Sequence, residues 1–245
     1  LPKLRRSRLV ANVKIIGKSD AEIQSLLEKF PSALSVEELL YSATLTDDVA
    51  QKENIYKLVM QKYPKDYRPY NNVGSLCLQR GDYESALVWF DRALKRKDNP
   101  ETKVNLGLLA LKDGDLNKAT SLIAEGSSMP GVGDALGFLY LRQGDYAKAE
   151  TAYGDVTTNN AAVAQILNRN YSKAIKTLEA IAKPDATTDY LRAIVAARMG
   201  DSAKAISSLQ KALQKDPSLT SRIDADLEFA SLRGLKDFTQ LTRLY

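Results

Sequence analysis

"QRGDYESALVWFDRAL", Gln79 to Leu94, contains Arg80-Gly81-Asp82, a tripeptide that cell-adhesion ligands present on loops. Its surroundings give it a different meaning. The Gly-Asp pair returns as "DGDLNKA" (Asp113–Ala119), "QGDYAKA" (Gln143–Ala149) and "MGDSAKA" (Met199–Ala205), and a worn copy reads "NRNYSKA" (Asn168–Ala174). The first three glycines stand about 33 and 30 residues apart, a spacing typical of stacked helix pairs. In each copy an amphipathic helical pattern runs into glycine, Asp or Asn follows, and a second amphipathic pattern begins. Glycine supplies the left-handed conformation that ends the first helix. The Asp or Asn side chain accepts from the free amides that open the second. The pair recurs without the arginine, so Arg80-Gly81-Asp82 reads as a turn between two helices.

The second helices share further offsets. Ala86, Ala119, Ala149, Ala174 and Ala205 occupy one position and permit close helix approach. Four residues later come Phe90, Ile123, Tyr153, Leu178 and Leu209, and three after that Ala93, Gly126, Val156, Ile181 and Ala212. These offsets put one apolar stripe on each second helix. Units end near Pro64, Asn99-Pro100, Pro130, Asn159-Asn160, Pro184 and Pro217, where proline or asparagine interrupts a helix.

The segments "YNNVGSLCLQRGDYESALVWFDRAL" (Tyr70–Leu94), "VNLGLLALKDGDLNKA" (Val104–Ala119) and "ALGFLYLRQGDYAKAETAY" (Ala135–Tyr153) carry a resemblance to the tetratricopeptide repeat family. Gly74, Gly107, Gly137 and Ala193 match the family's small residue in the first helix, and Pro64 and Pro217 its closing proline. The resemblance covers roughly residues 36 to 217. It implies an all-α fold, a right-handed superhelix of about six helix pairs, whose first helices line a concave groove for an extended peptide or partner helix. Asn72 and Asn105 match the place of the family's asparagine that bonds a bound peptide. Such an amide both donates and accepts, as a peptide backbone requires. Arg68, Asn71, Ser75, Gln79, Lys103, Leu108 and Lys112 are expected on the same face, extended by Asp134, Phe138 and Tyr190. The family's full charged clamp for a terminal carboxylate needs more Lys and Arg than this face offers.

Some units depart from the pattern. The unit from Val36 to Pro64 has Asp47-Asp48 at its turn and Lys52 in the alanine position, while Tyr56 and Val59 keep the stripe. The unit from about Ala161 to Ile181 has a shortened first helix and no turn glycine, and Arg192 stands where the family places an apolar residue.

Three regions follow: a non-repeat segment 1–35, the array 36–217 and a capping segment 218–245. In the first, "SDAEIQSLLEKF" (Ser19–Phe30) reads as a helix with a Ser19–Glu22 capping box and an apolar face of Ile23, Leu26, Leu27 and Phe30. "LVANVKII" before it alternates like a short strand. The chain starts at Leu1, not Met, and reads as part of a longer precursor. Its start, "LPKLRRSRLVANVKI", is similar to linkers of bacterial envelope proteins in which an outer-membrane-protein-A-like domain precedes helical repeats. That implies a periplasmic or cell-envelope location, with the cytoplasm as alternative. In "LTSRIDADLEFASLRGLKDFTQLTRLY", Phe229, Leu232, Phe238 and Leu241 are expected to cover the open end of the last repeat.

Composition narrows function. The 245 residues have 44% hydrophobic and 27% charged content, net charge +5, one cysteine and no histidine. Ser-His-Asp and Cys-His nucleophile systems are therefore excluded. Glu37-Glu38 and Asp47-Asp48 are adjacent and diverge on a helix or turn, so they do not make a hydrolytic pair. "PGVG" (Pro130–Gly133) lacks the strand and lysine of a phosphate loop. Cys77, Trp89 and most tyrosines read as packing residues. Only Lys3, Arg5, Arg6 and Arg8 form a dense basic run, so nucleic acid is not the expected partner. No apolar run is long enough for membrane insertion. The expectation is a non-enzymatic protein–protein interaction scaffold without cofactors, its oligomeric state open. The alternatives are a structural or assembly protein of the cell envelope, or an accessory module of an enzyme whose catalytic domain lies elsewhere.

Overall fold

The computed structural model describes residues 17–244, and among these there is no β-strand. The expected strand at 9–16 and the basic start lie outside the described residues. The chain divides into two compact units, at Asp98 and Asn99.

The first unit contains α1 (Asp20–Lys29), α2 (Val36–Ser42), α3 (Val49–Lys62), α4 (Arg68–Gln79) and α5 (Tyr83–Leu94). The Ser19–Glu22 capping box forms in full, and a second, not anticipated, joins Ser35 and Glu38 at the start of α2. Asp48 caps α3, and Tyr56 and Val59 are buried as the stripe requires. One expectation fails. Phe30 is 65% exposed, because α1 ends at Lys29 and the backbone of Phe30 leaves the helical conformation, taking its ring off the Ile23 face.

The second unit contains α6 (Pro100–Lys112), α7 (Leu116–Glu125), α8 (Gly133–Gln143), α9 (Tyr146–Tyr153), α10 (Asn159–Leu167), α11 (Tyr171–Glu179), α12 (Ala186–Arg198), α13 (Ser202–Lys215), α14 (Thr220–Ala225) and α15 (Lys236–Leu244). Asn99-Pro100 mark the start of a helix: Asn99 accepts from the Thr102 amide at 2.8 Å, and Pro100 takes the first helical position. Across both units the helices form six successive pairs, α2/α3 to α12/α13.

The Gly-Asp corners have one geometry. Gly81, Gly114, Gly144 and Gly200 are left-handed, with φ of 77°, 82°, 78° and 78°. The amide of the following Asp reaches back to the carbonyl five residues earlier, as from Asp82 to Cys77, Asp115 to Ala110 and Asp145 to Tyr140, each at 2.9 Å. This satisfies an orphan carbonyl of the first helix while the Asp side chain caps the second. The worn copy folds the same way. Arg169 takes the left-handed conformation at φ 61°, and the Asn170 amide reaches the Gln165 carbonyl at 2.8 Å.

The five alanines of the shared offset are fully buried, and so are Phe90, Ile123, Leu178 and Leu209, with Tyr153 nearly so. The third stripe position is uneven. Val156 is exposed, because α9 stops at Tyr153 and Gly154 breaks the register before it. At the end of the second unit Phe229, Leu232, Phe238 and Leu241 are buried in one cluster with Leu209 and Leu213. Phe229 stands edge-on to Tyr190, with ring centroids 5.5 Å apart.

Candidate functional site

Seven residues before each left-handed corner residue stands a small side chain: Gly74, Gly107, Gly137, Ala162 and Ala193. The glycines touch the large stripe residue of the second helix. A Cβ would lie 2.5 Å from the Phe90 ring at Gly74, 2.6 Å from Ile123 at Gly107 and 2.5 Å from the Tyr153 ring at Gly137. The next residue is turned about 100° around the helix, out of the pair interface. These residues are Ser75, Leu108, Phe138, Val163 and Ile194, and all five are half-buried. In the second unit the four are all apolar. There α6 packs on α8, α8 on α10 and α10 on α12, so the four helices carry these side chains at one register position across adjoining first helices.

Where this register reaches Val163 and Ile194, a cleft of about 340 Å³ opens. Its apolar walls include Ile166 and Leu191, and its rim carries Tyr190, Arg198, Arg222, Asp226 and Glu228. The Tyr190 hydroxyl donates to Asp226, and the Arg222 guanidinium sits 4.8 Å from the Tyr190 ring centroid. Burial, then the hydrogen bond to the Asp226 carboxylate, pushes the Tyr190 phenol up to about 12. Arg198 donates from Nε to Glu228 at 2.8 Å and from Nη1 to the Ile166 carbonyl at 3.1 Å. The charged groups are tied to one another around an apolar floor. This arrangement suits recognition of a side chain. Among the described residues, no group of three His, Cys, Asp or Glu could hold a metal ion.

The residues expected from sequence fall in both units. On α4, Arg68 is held by Asp66 at 2.7 Å and Glu37 at 2.8 Å. Asn71 is buried, and the Ser75 hydroxyl donates to its carbonyl at 3.1 Å. Asn72 is half-buried with its side chain hydrogen-bonded to the Tyr56 hydroxyl, while Gln79 is exposed. In the second unit Asn105 and Leu108 are half-buried on α6, Lys112 is exposed with Asp113 at 3.1 Å, and Lys103 pairs with Glu125 at 2.5 Å. On α8, Asp134 is exposed and Phe138 half-buried. Leu108 and Phe138 pack against the same core cluster. Val163 and Ile194 escaped the sequence reading. Counting back from Arg169 and Gly200 would have found both, once Arg169 is given the role of a glycine.

The adhesion reading of residues 80–82 finds no support in the geometry. Gly81 forms the corner, Asp82 accepts from the Ser85 amide at 3.1 Å, and Arg80 reaches Glu53 at 2.5 Å. Cys77 is buried beneath it.

Helix pairs joined at left-handed corners, with a small residue in each first helix seated against a large one in the second, define a helical-repeat protein. Family models described as tetratricopeptide repeat match residues 67–100, 132–154 and 188–218. In these three segments the chain matches tetratricopeptide repeats. The fold is similar to that of a tetratricopeptide repeat protein from Parabacteroides merdae, with 14% identity and TM-score 0.53 over 92% of this chain and 90% of that one. It is also similar to PilF of Pseudomonas aeruginosa, with 16% identity and TM-score 0.52 over 89% and 97% of the two chains. A chain of the APC/C hetero-tetramer Cut9-Hcn1 aligns at 13% identity and TM-score 0.64, over 89% of this chain and 44% of its own length. Comparison with curated proteins gives no match. The repeats support a protein–protein interaction scaffold, and the neighbouring structures share the fold.

Proposed function

We propose that the chain is a non-enzymatic scaffold that takes an extended peptide or a partner helix along its first helices. The observation that carries this reading is the half-buried apolar set Leu108, Phe138, Val163 and Ile194 in the second unit. Packing within the pairs buries the stripe residues fully and leaves these four partly in contact with water. Apolar groups at one register on successive helices suit the alternate side chains of a bound segment. Asn72 and Asn105 belong to the same proposal as backbone-bonding amides, each in its own unit, with Arg68, Gln79, Lys112 and Asp134 as flanking polar contacts. One similar fold comes from a hetero-tetramer, which agrees with a role in holding proteins together.

The test places a photo-crosslinking amino acid at 108, 138, 163 and 194, and for comparison at exposed Ser121 and Gln210 on second helices. Crosslinks to a partner concentrated at the first four positions support the reading. Crosslinks confined to 121 and 210 would sink it. Asn72→Ala combined with Asn105→Ala is expected to weaken partner binding while leaving the helical circular-dichroism signal unchanged. A periplasmic or cell-envelope location is proposed as well, on the short N-terminal likeness, and fractionation of the full-length protein checks it.

A further inference from the structure

The charges of the first unit are sorted. Residues 62–68 and 92–97 hold seven of the twelve lysines and arginines between positions 17 and 98, and one of the thirteen acids. The fold brings these two segments together. The Arg96 Nε donates to the Pro64 carbonyl at 2.8 Å, and its guanidinium covers the Tyr70 ring at 3.4 Å from the centroid. Between them lies an open cleft of about 440 Å³ lined by Lys65, Asp66, Tyr67, Arg68, Arg96 and Lys97.

Helix-end electrostatics explains part of this and leaves part over. Lys62 ends α3, and Lys95, Arg96 and Lys97 follow or end α5, where the negative end of the helix dipole favours cations. Lys65 and Arg68 are on the wrong side for that explanation. They precede and open α4, at the positive end of that helix, where the Arg68 amide donates to the Asp66 carboxylate at 2.9 Å. Asp66 and Glu37 bind Arg68, but the cleft lining still has four cations against one acid. A concave surface of one sign concentrates field and draws in the opposite charge.

We propose that this basic end of the first unit is a docking site for an acidic, Asp- or Glu-rich protein segment, separate from the apolar register of the second unit. The chemistry favours a peptide over nucleic acid. The local rings already carry the protein's own cations: Lys62 lies over Tyr63 and Lys97 over Tyr67, each at 5.4 Å, and Arg96 over Tyr70. One face of each ring is thereby taken by a cation, which reduces the surface offered for stacking bases. The cleft lining also has no exposed large apolar side chain to enter a bilayer.

The experiment measures anisotropy of a labelled Glu-rich peptide on the whole chain. Parallel titrations use a single-stranded RNA oligonucleotide and vesicles containing phosphatidylserine. Expected is salt-sensitive peptide binding that falls about tenfold in Lys65→Glu/Lys97→Glu, and less than about twofold in Lys204→Glu/Lys211→Glu, which changes net charge equally. Lys65→Gln alone serves if the double reversal does not fold, with a smaller loss of the same sign. Equal losses in the two double variants, no peptide binding, or tighter binding of RNA or vesicles would each overturn the proposal. Crosslinking at 108, 138, 163 and 194 reads the first-helix site independently, so either idea can fail alone.

Discussion

Gly74 and Phe90 show what a single position carries here. The glycine leaves room for a fully buried ring, and a methyl group in that room would meet ring carbons at 2.5 and 2.6 Å. Gly74→Ala is therefore expected to destabilise the chain by about 1–3 kcal/mol, the usual cost of overpacking, read as a lower midpoint in urea. Arg169 makes the opposite case. A non-glycine residue in the left-handed region is strained by about 1–2 kcal/mol, so Arg169→Gly should stabilise by up to about 1 kcal/mol. A loss of stability would show that the arginine side chain outweighs the strain. Asp189 sets a pH dependence. Burial pushes its carboxyl up, but hydrogen bonds from Lys215 at 2.6 Å and Arg192 at 2.7 Å outweigh burial and hold it below the ordinary carboxylate value. A depressed acid stabilises the fold above its unfolded value of about 4, and that contribution is lost as the pH falls through the folded value. Asp189→Asn should be less stable at pH 7 and show a shallower stability loss below about pH 4, measured by urea midpoints across pH. Arg192 itself was legible only as an exception to an apolar pattern. Its pairing with Asp189 is an i,i+3 contact on α12, while Lys215 reaches the other oxygen of the same carboxylate from α13.

At the scale of the element, the corners were written in the sequence and the helix lengths were not. Gly-Asp fixes both halves of the junction, since one residue ends a helix and the next starts another. Asp115 accepts from the Lys118 amide at 2.9 Å, so Asp115→Ala should cost about 1 kcal/mol and fray the start of α7 first, as seen by amide exchange. Loss of protection spread evenly over α6 and α7 would contradict a local cap. The α9 helix is shorter than its stripe suggests, because Gly154 at φ 61° stops it just after Tyr153. Asp155 follows that glycine, but no helix opens at it: α10 starts only at Asn159, capped by Thr158, so Val156 lies in the connection and the expectation that it is buried fails. Phe30 was misplaced by a similar slip, one residue past the end of α1. The periodic pattern reports which face is apolar; it reports the last turn of a helix poorly.

For the molecule as a whole, the repeats solve a burial problem by stacking, and the end of the second unit closes it with four large side chains. Removing residues 218–244 would uncover Leu209 and Leu213, each worth roughly 1.5–3 kcal/mol when buried. The truncated chain should bind a hydrophobic dye, melt at lower temperature and lose exchange protection in α12 and α13. Unchanged melting would mean the final pair is stable without its cover. The sequence by itself determined the number of pairs, the corner positions, the apolar stripes of the second helices and the lack of a histidine-based catalytic centre. All of these are local, set by residues a few turns apart on one or two helices. Only the tertiary structure decided that Val163 and Ile194 share a register with Leu108 and Phe138, that Arg96 meets Pro64, and that Asp226 lies against Tyr190. Those contacts join segments 30 or more residues apart in sequence, and their geometry depends on how successive pairs rotate against one another, which no local pattern encodes.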